Sequence, residues 1–339
     1  MPQTLYKRIN MARSIKLDFS DEQLQQCVAG IRPFRKKTYR IESESFSGKT
    51  LIHNYGHGGC GVSTSWGSAQ EVLTLANETG AKDKSIAVLG AGVNGLTSAI
   101  VLAETGYQVA IYTAETSPNT TSDIAGAQWA PSFIEFGETE QELKRFHQIL
   151  QSSLDAFESL LGSEYGVYRR TNYVEDGHSS FFDRLPTGML PPPKTYSKLP
   201  FANTNVSGRS FETLLIEMPR YMKRLMQRVA DNDISIEIRE FKTANDFNQL
   251  EEAIIINCLG FGAAAVMNDP LMEPIRGQLA LLPPIKNQDW LFSHKTGYIF
   301  PREDALVVGG SVERGEFKRV ACPDACRKIV KENQELFSR

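Results

Sequence analysis

Ser85-Ile-Ala-Val-Leu-Gly-Ala-Gly-Val-Asn-Gly-Leu-Thr-Ser-Ala99 decides how the rest of the chain is read. Ile86 to Leu89 is apolar and β-prone, and Val93, Leu96, Ile100 and Ala103 follow at helical spacing. Between them stand Gly90, Gly92 and Gly95, spaced as in a dinucleotide-binding turn. Gly90 permits the tight turn, Gly92 admits a pyrophosphate against the backbone, and Gly95 lets the helix approach the strand. Phosphates would rest beside Val93 and Asn94, where unpaired N–H groups and the helix macrodipole favour negative charge. Gly106 closes the helix before a second strand, Gln108 to Tyr112. The address of this unit is unusual, because such a unit commonly opens a chain and here more than eighty residues precede it.

Composition narrows the class. A chain of 339 residues is long for one core and suits two domains. With 23% charged and 41% hydrophobic residues it can bury a sizeable core. A net charge of −3 gives no electrostatic reason to expect nucleic acid or an anionic membrane as partner. No apolar run is long enough to span a bilayer, no signal-peptide core opens the chain, and the final Phe-Ser-Arg is not a peroxisomal address. Five cysteines are few and odd in number, which favours a reducing, cytoplasmic setting over a disulfide framework.

In chain order, Ser20 with Gln23 three residues on predicts a helix from Ser20 to Val28, broken by Gly30-Ile-Arg-Pro-Phe-Arg35. Arg32 and Arg35 sit in a basic run with Lys36, Lys37 and Arg40, and such runs are usually solvated faces. A strand Thr50 to His53 leads into His53-Asn-Tyr-Gly-His-Gly-Gly-Cys-Gly61, where the glycines let a backbone approach something flat or charged. No Cys, Asp or Glu spacing makes His53 and His57 a metal site. A helix from about Trp66 to Ala76 and a polar linker, Asn77 to Lys84, precede the fingerprint. Beyond it come a loop of small residues, Pro118 to Pro131, and an amphipathic helix from Glu138 to Leu161. Then follow a rigid Pro191-Pro192-Pro193 stretch, a strand Glu212 to Ile216, a helix from Pro219 to about Val229 and a strand Ile234 to Ile238. Ala253 to Gly260 reads as a buried strand, and Gln278 to Leu282, Gly297 to Phe300 and Leu306 to Val308 form a β-rich final third.

The chain resembles the D-amino-acid oxidase family, which includes D-aspartate oxidase. The matching residues are the fingerprint Gly90 to Gly95, Thr121-Ser-Asp-Ile-Ala-Gly-Ala-Gln-Trp129, Asn257-Cys-Leu-Gly260, Arg276-Gly-Gln278, Tyr298-Ile-Phe-Pro301 and Val308-Gly-Gly-Ser311. Gly30-Ile-Arg-Pro33 and His53-Asn-Tyr-Gly-His-Gly-Gly59 match as well, but the family places these two segments at its C-terminal end and here they precede the fingerprint. The order therefore reads as circularly permuted.

The resemblance implies FAD, with the substrate α-hydrogen leaving as hydride to flavin N5 and dioxygen reoxidising the flavin. Products would be a 2-oxo acid, ammonia and hydrogen peroxide, and no general base is required. It further implies that Arg32 pairs with the substrate carboxylate, Tyr298 donates to the same carboxylate and the Gly59 carbonyl accepts from the amine. Gly58, Gly59, Gly61, Val62 and Ser63 would line the flavin, and Thr121, Ser122, Ala125, Gly126 and Ala127 would complete the cofactor site. Three positions depart from the pattern. The acidic residue expected after the second strand falls on Ala114, so either Glu115 substitutes or the ribose is held otherwise. Cys60 replaces an aromatic residue. Counting back four from Tyr298 places His294 where many members have a second active-site tyrosine; a charged histidine there would favour acidic D-amino acids, and the plainer reading is an exposed lid residue.

These readings predict an α/β protein with a Rossmann-like FAD-binding domain over 36–132 and 233–265, and a β-rich α+β substrate domain over 1–35, 133–232 and 266–339. The ends should lie close together on the substrate domain. A homodimer follows from the resemblance. The alternatives are a glycine or amine oxidase, a flavin dehydrogenase using another acceptor, or a flavin-binding interaction protein without turnover.

Overall fold

The computed structural model describes residues 17–80, 85–178, 181–201 and 204–338. Two sheets carry the fold, and they differ because their strands are patterned differently. Strands β1 (Gln26–Arg35), β2 (Arg40–Phe46) and β3 (Lys49–Tyr55) open the chain, and α1 (Gly61–Glu78) follows the glycine cluster. The fingerprint supplies β4 (Ser85–Leu89) and α2 (Val93–Glu104), then β5 (Gln108–Thr113). Next come α3 (Glu140–Ser159), β6 (Val167–Glu175), β7 (Lys194–Tyr196), β8 (Gly208–Ile216), α4 (Met218–Asp231), β9 (Ser235–Ile238), β10 (Ile254–Asn257) and the single turn α5 (Ala263–Val266). The chain closes with β11 (Met272–Leu282), β12 (Trp290–His294), β13 (Gly297–Pro301), β14 (Leu306–Gly309), β15 (Glu313–Arg314) and α6 (Pro323–Leu336).

Six strands lie in the order β2-β3-β10-β4-β5-β9. All pairings from β3 to β9 are parallel, and β2 adds an antiparallel edge. Ile86 to Leu89 and Ile254 to Asn257 are wholly buried, as strands covered on both faces must be. One cover is α1 with α2, backed by α3 and α4, whose Phe146, Leu150, Phe157, Tyr221 and Leu225 join the core of this sheet. The six strands fall within 36–132 and 233–265, whereas α3 and α4, from 133–232, pack onto them. A parallel sheet leaves a crevice beyond the C-terminal ends of its strands where the order reverses. Here β3, β4, β5 and β10 all end on that crevice.

The second sheet runs β1-β11-β14-β13-β12-β6-β8-β7, with β15 paired to β11. Its two faces separate cleanly by the period of two. Ala280, Phe292, Ile299 and Val308 pack under α6, while Leu215, Leu279, Leu291, Phe300 and Val307 face the crevice.

The expected helix from Ser20 to Val28 is not formed. Asp21–Gln23 makes one 3-10 turn, the Ser20 side chain caps nothing, and the strand has begun by Gln26. The reason is tertiary: β1 pairs with β11 without a break from Gln26↔Leu281 to Arg35↔Met272, so its backbone polar groups are satisfied by the sheet. Gly30 to Arg35 is therefore strand and not a helix breaker, with Pro33 on an edge strand where it is tolerated. Half of the linker Asn77 to Lys84, namely 81–84, lies outside the described residues. So do Met1 and Arg339; near the two ends of the described chain, Phe19 and Phe337 pack with tilted rings, centroids 5.4 Å apart.

Candidate active site

The crevice between the sheets is a cavity of about 1080 Å³. Its walls bring together Gly90, Gly92, Val93 and Asn94 of the fingerprint, Gly58, Gly59, Gly61, Val62 and Ser63 after β3, and Thr121, Ser122, Ala125, Gly126 and Ala127. Arg32, Glu115 and Tyr298 line the same cavity. Gly95 does not line it but shapes it, since a Cβ there would stand 1.9 Å from the Gly90 carbonyl oxygen. Gly90 itself has φ +103°, open to glycine and to few other residues.

The residues present fit a dinucleotide. Two helices, α1 and α2, begin beside one another: the Asn94 side-chain Nδ2 lies 3.2 Å from where a Gly61 Cβ would be. The first amides of each helix have no partner within the helix, so the pair forms an anion cradle. The Asn94 Oδ1 is buried without a hydrogen-bond partner, and at Gly92 an added Cβ would meet only Ser122 Oγ, at 3.4 Å. Ser122 also accepts from the Val93 N–H at 3.0 Å. Glu115, the ribose candidate, reaches the wall but is paired with Arg319 at 2.7 Å.

Arg32 and Tyr298 reach the cavity because a glycine makes room for each. A Cβ on Gly277 would lie 2.4–2.6 Å from the Arg32 guanidinium, and one on Gly309 would lie 2.4 Å from the Tyr298 ring. Arg32 stacks on Phe133, 5.0 Å from the ring centroid, and donates to the Ser311 carbonyl at 3.2 Å. Among the described residues no carboxylate forms an ion pair with it. Burial lowers the Arg32 pKa, and burial raises that of Tyr298 while the nearby guanidinium pulls it back. Such a cation, desolvated and without an anion, is a receptor for one. Arg35, by contrast, is occupied: it pairs with Asp269 at 2.8 Å, and Asp269 also accepts from Tyr55 at 2.9 Å. The Gly59 carbonyl accepts from Ser132 Oγ at 3.3 Å.

His294 is not in the cavity. Strands β12 and β13 pair so that Tyr298 stands opposite Ser293, and side chains alternate, so His294 shares the other face with Phe292 and packs on it at 5.3 Å. Ser293 and Lys295 line the cavity in its place. Counting along the sequence missed this because the strands are antiparallel. Burial holds the His294 imidazole down to about 4, and the buried His57, bonded to Ser68 Oγ at 3.2 Å, likewise. Both are neutral when folded and near 6.5 when unfolded. Between about pH 6.5 and 4 the unfolded state binds more protons, so stability should fall on acidification by up to roughly 3 kcal/mol per histidine. A Tm series over that window checks this, and His294→Gln should flatten it; an unchanged slope would contradict the assignment.

Sequence reasoning also missed Phe133, Ser132 and the apolar wall of Val174, Phe182, Leu185, Leu190 and Phe211. Val174 and Phe211 continue the sheet face that bears Tyr298, through Ser293↔Val174 and Asn172↔Phe211.

A dinucleotide cradle lined by glycines, meeting Tyr298 and an arginine without a carboxylate partner among the described residues, defines a cofactor-binding fold. Residues 85–339 match the family model described as DAO, FAD dependent oxidoreductase, and the chain belongs to that family. It is 29% identical over 257 residues to the D-amino-acid oxidase of Streptomyces coelicolor (strain ATCC BAA-471 / A3(2) / M145), covering 74% of this chain and 77% of that one. To human D-aspartate oxidase it is 24% identical, covering 75% and 74%. The fold is similar to glycine oxidase from Geobacillus kaustophilus, with a TM-score of 0.58, 17% identity and coverage of 74% and 77%. The protein is an FAD-dependent oxidoreductase, and no helix among its described residues is long and apolar enough to cross a membrane. The family match begins at Ser85, so Arg32, Gly58 and Gly59 lie outside it while lining the same cavity as Tyr298.

Proposed function

We propose that the chain oxidises D-amino acids with neutral, apolar side chains to imino acids, which hydrolyse to 2-oxo acids and ammonia. The observation that carries this is the cavity-facing Arg32, without a carboxylate partner among the described residues and beside Tyr298. Arg32 would grip the substrate carboxylate in a fork, and Tyr298 would donate its hydroxyl to the same group. With the carboxylate fixed, the Gly59 carbonyl would hold the amine, exchanging the Ser132 hydroxyl for it. Two anchors leave one enantiomer's α-hydrogen aimed across the cavity. Bound FAD would supply the chemistry, accepting the hydride and passing its electrons to dioxygen. The helix N-termini at Gly61 and Val93 would hold its phosphates, and Gly58 to Ser63 its ring.

Acidic side chains are disfavoured in this reading, because His294 faces away, Lys295 is paired with Glu175 at 3.6 Å, and Phe182 and Phe211, with ring centroids 4.5 Å apart, wall the space beyond Tyr298. The chain order supports a circular permutation of the family's: segments outside the family match complete the cavity, and Phe19 meets Phe337. The strand membership of the sheets favours a cofactor domain over 36–132 and 233–265, with α3 and α4 added to it.

Peroxide release from a panel of amino acids tests the substrate assignment. D-phenylalanine or D-methionine should exceed D-aspartate by at least tenfold in kcat/KM, since burying one unpaired charge against an apolar wall costs more than about 1.4 kcal/mol. Equal rates with D- and L-enantiomers, or a profile led by D-aspartate, would contradict it.

A further inference from the structure

Three thiols gather on the sheet face turned away from the cofactor cavity. Cys27 stands opposite Ala280 in the β1–β11 register, and side chains so opposed have Cβ atoms about 4.5–5.5 Å apart. Cys326, one turn into α6, donates from Sγ to the Leu279 carbonyl at 3.5 Å. At the start of that helix the Cys322 N–H donates to Gln278 Oε1 at 2.5 Å. Three consecutive residues of β11 thus hold three cysteines. The Cys27 and Cys326 side chains both pack in the apolar cluster beneath α6, close enough for each thiol to feel the other. Access to them differs: Cys326 is buried and Cys27 half-buried. Cys27 lines a second cavity of about 610 Å³. Glu115, Thr120, Ile124 and Arg319 line that cavity and the cofactor cavity alike, so a small oxidant leaving the site has a short route to Cys27.

We propose that Cys27 and Cys326 form a disulfide in response to hydrogen peroxide, tying β1 to α6. The Cys27 sulfur attacks one peroxide oxygen, the O–O bond breaks, and a sulfenic acid and one water result. The Cys326 sulfur then attacks that sulfenic sulfur; the S–OH bond breaks, and the departing hydroxyl leaves as a second water with the Cys326 proton. Two thiols are oxidised to one disulfide and one peroxide is reduced to two waters. Burial raises the Cys326 pKa, which with its fuller burial makes Cys27 the first thiol oxidised and Cys326 the resolving one. The bond would join the strand that carries Arg32 to the last helix, closing nearly the whole chain into a ring. It would restore by a covalent link the neighbourhood that the chain order divides.

The test treats the FAD-loaded protein with reagent hydrogen peroxide, so its outcome does not depend on the substrate reading. After maleimide quenching, peptide mapping should recover Cys27 and Cys326 as one linked species lighter by two hydrogens, with Cys60 and Cys258 alkylated only after unfolding. On a non-reducing gel the ring should migrate faster, in the wild type and in Cys258→Ser but not in Cys27→Ser or Cys326→Ser. Recovery of Cys27 as a free thiol, as a sulfinic acid or joined to Cys322 would overturn the proposal, and the wild-type map decides this even if a variant fails to fold.

Discussion

Arg32→Ala should lower kcat/KM for a D-amino acid by about a hundredfold to several thousandfold and leave the bound flavin spectrum unchanged. Removing one partner of a desolvated charge pair costs about 3–5 kcal/mol, because the substrate carboxylate is left unpaired. Tenfold in an equilibrium corresponds to about 1.4 kcal/mol, which gives the range stated. The flavin is spared because Arg32 contacts Phe133 and Ser311 and not the phosphate cradle. Arg32→Lys should fall between, since an ammonium keeps the charge but not the fork. A near-normal kcat/KM in Arg32→Ala would remove Arg32 from the site.

Gly58→Ala should weaken FAD binding by tenfold or more and lower the Tm of the holoprotein. Gly58 has φ +56°, and a Cβ there would stand 1.8 Å from the Phe133 carbonyl oxygen. The left-handed conformation costs alanine about 1–2 kcal/mol, and forcing the chains apart costs about 1–3 kcal/mol more. The displacement would break the bond from the Gly59 N–H to that carbonyl, 3.2 Å, and pull the glycine cluster off the wall it shares with Ser132. Gly80→Ala is the control: its φ is also positive but no described residue would lie within 4 Å of the added Cβ. Equal FAD affinity in Gly58→Ala and wild type would contradict the packing described.

The cofactor half was legible because its signal is local. Gly90, Gly92 and Gly95 do their work within one turn of each other, and the buried run before them needs no distant partner to read as a strand. Arg32 was not legible from the basic run around it, where a solvated face was the plain reading; the family resemblance supplied it, and the glycine at 277 that admits its guanidinium is invisible as a contact until β1 and β11 are paired. The Ser20–Val28 helix failed for the same reason, a capping signal overridden by a sheet pairing with residues some 250 positions away. His294 failed because a count along one strand was carried across a turn into its antiparallel neighbour. The apolar wall from Val174 to Phe211 comes from β6, β8 and the turn and loop between them, and it forms one surface only once β6 and β8 are paired.

Anaerobic mixing of the yellow holoprotein with D-phenylalanine tests the central claim most directly, since it reads hydride removal from the substrate without requiring oxygen. The flavin absorbance should bleach with D-phenylalanine, at least ten times more slowly with D-aspartate, and not with L-phenylalanine. Bleaching by both enantiomers alike, or by none of the D-amino acids, would contradict an account in which Arg32 and Tyr298 hold one enantiomer against the cofactor.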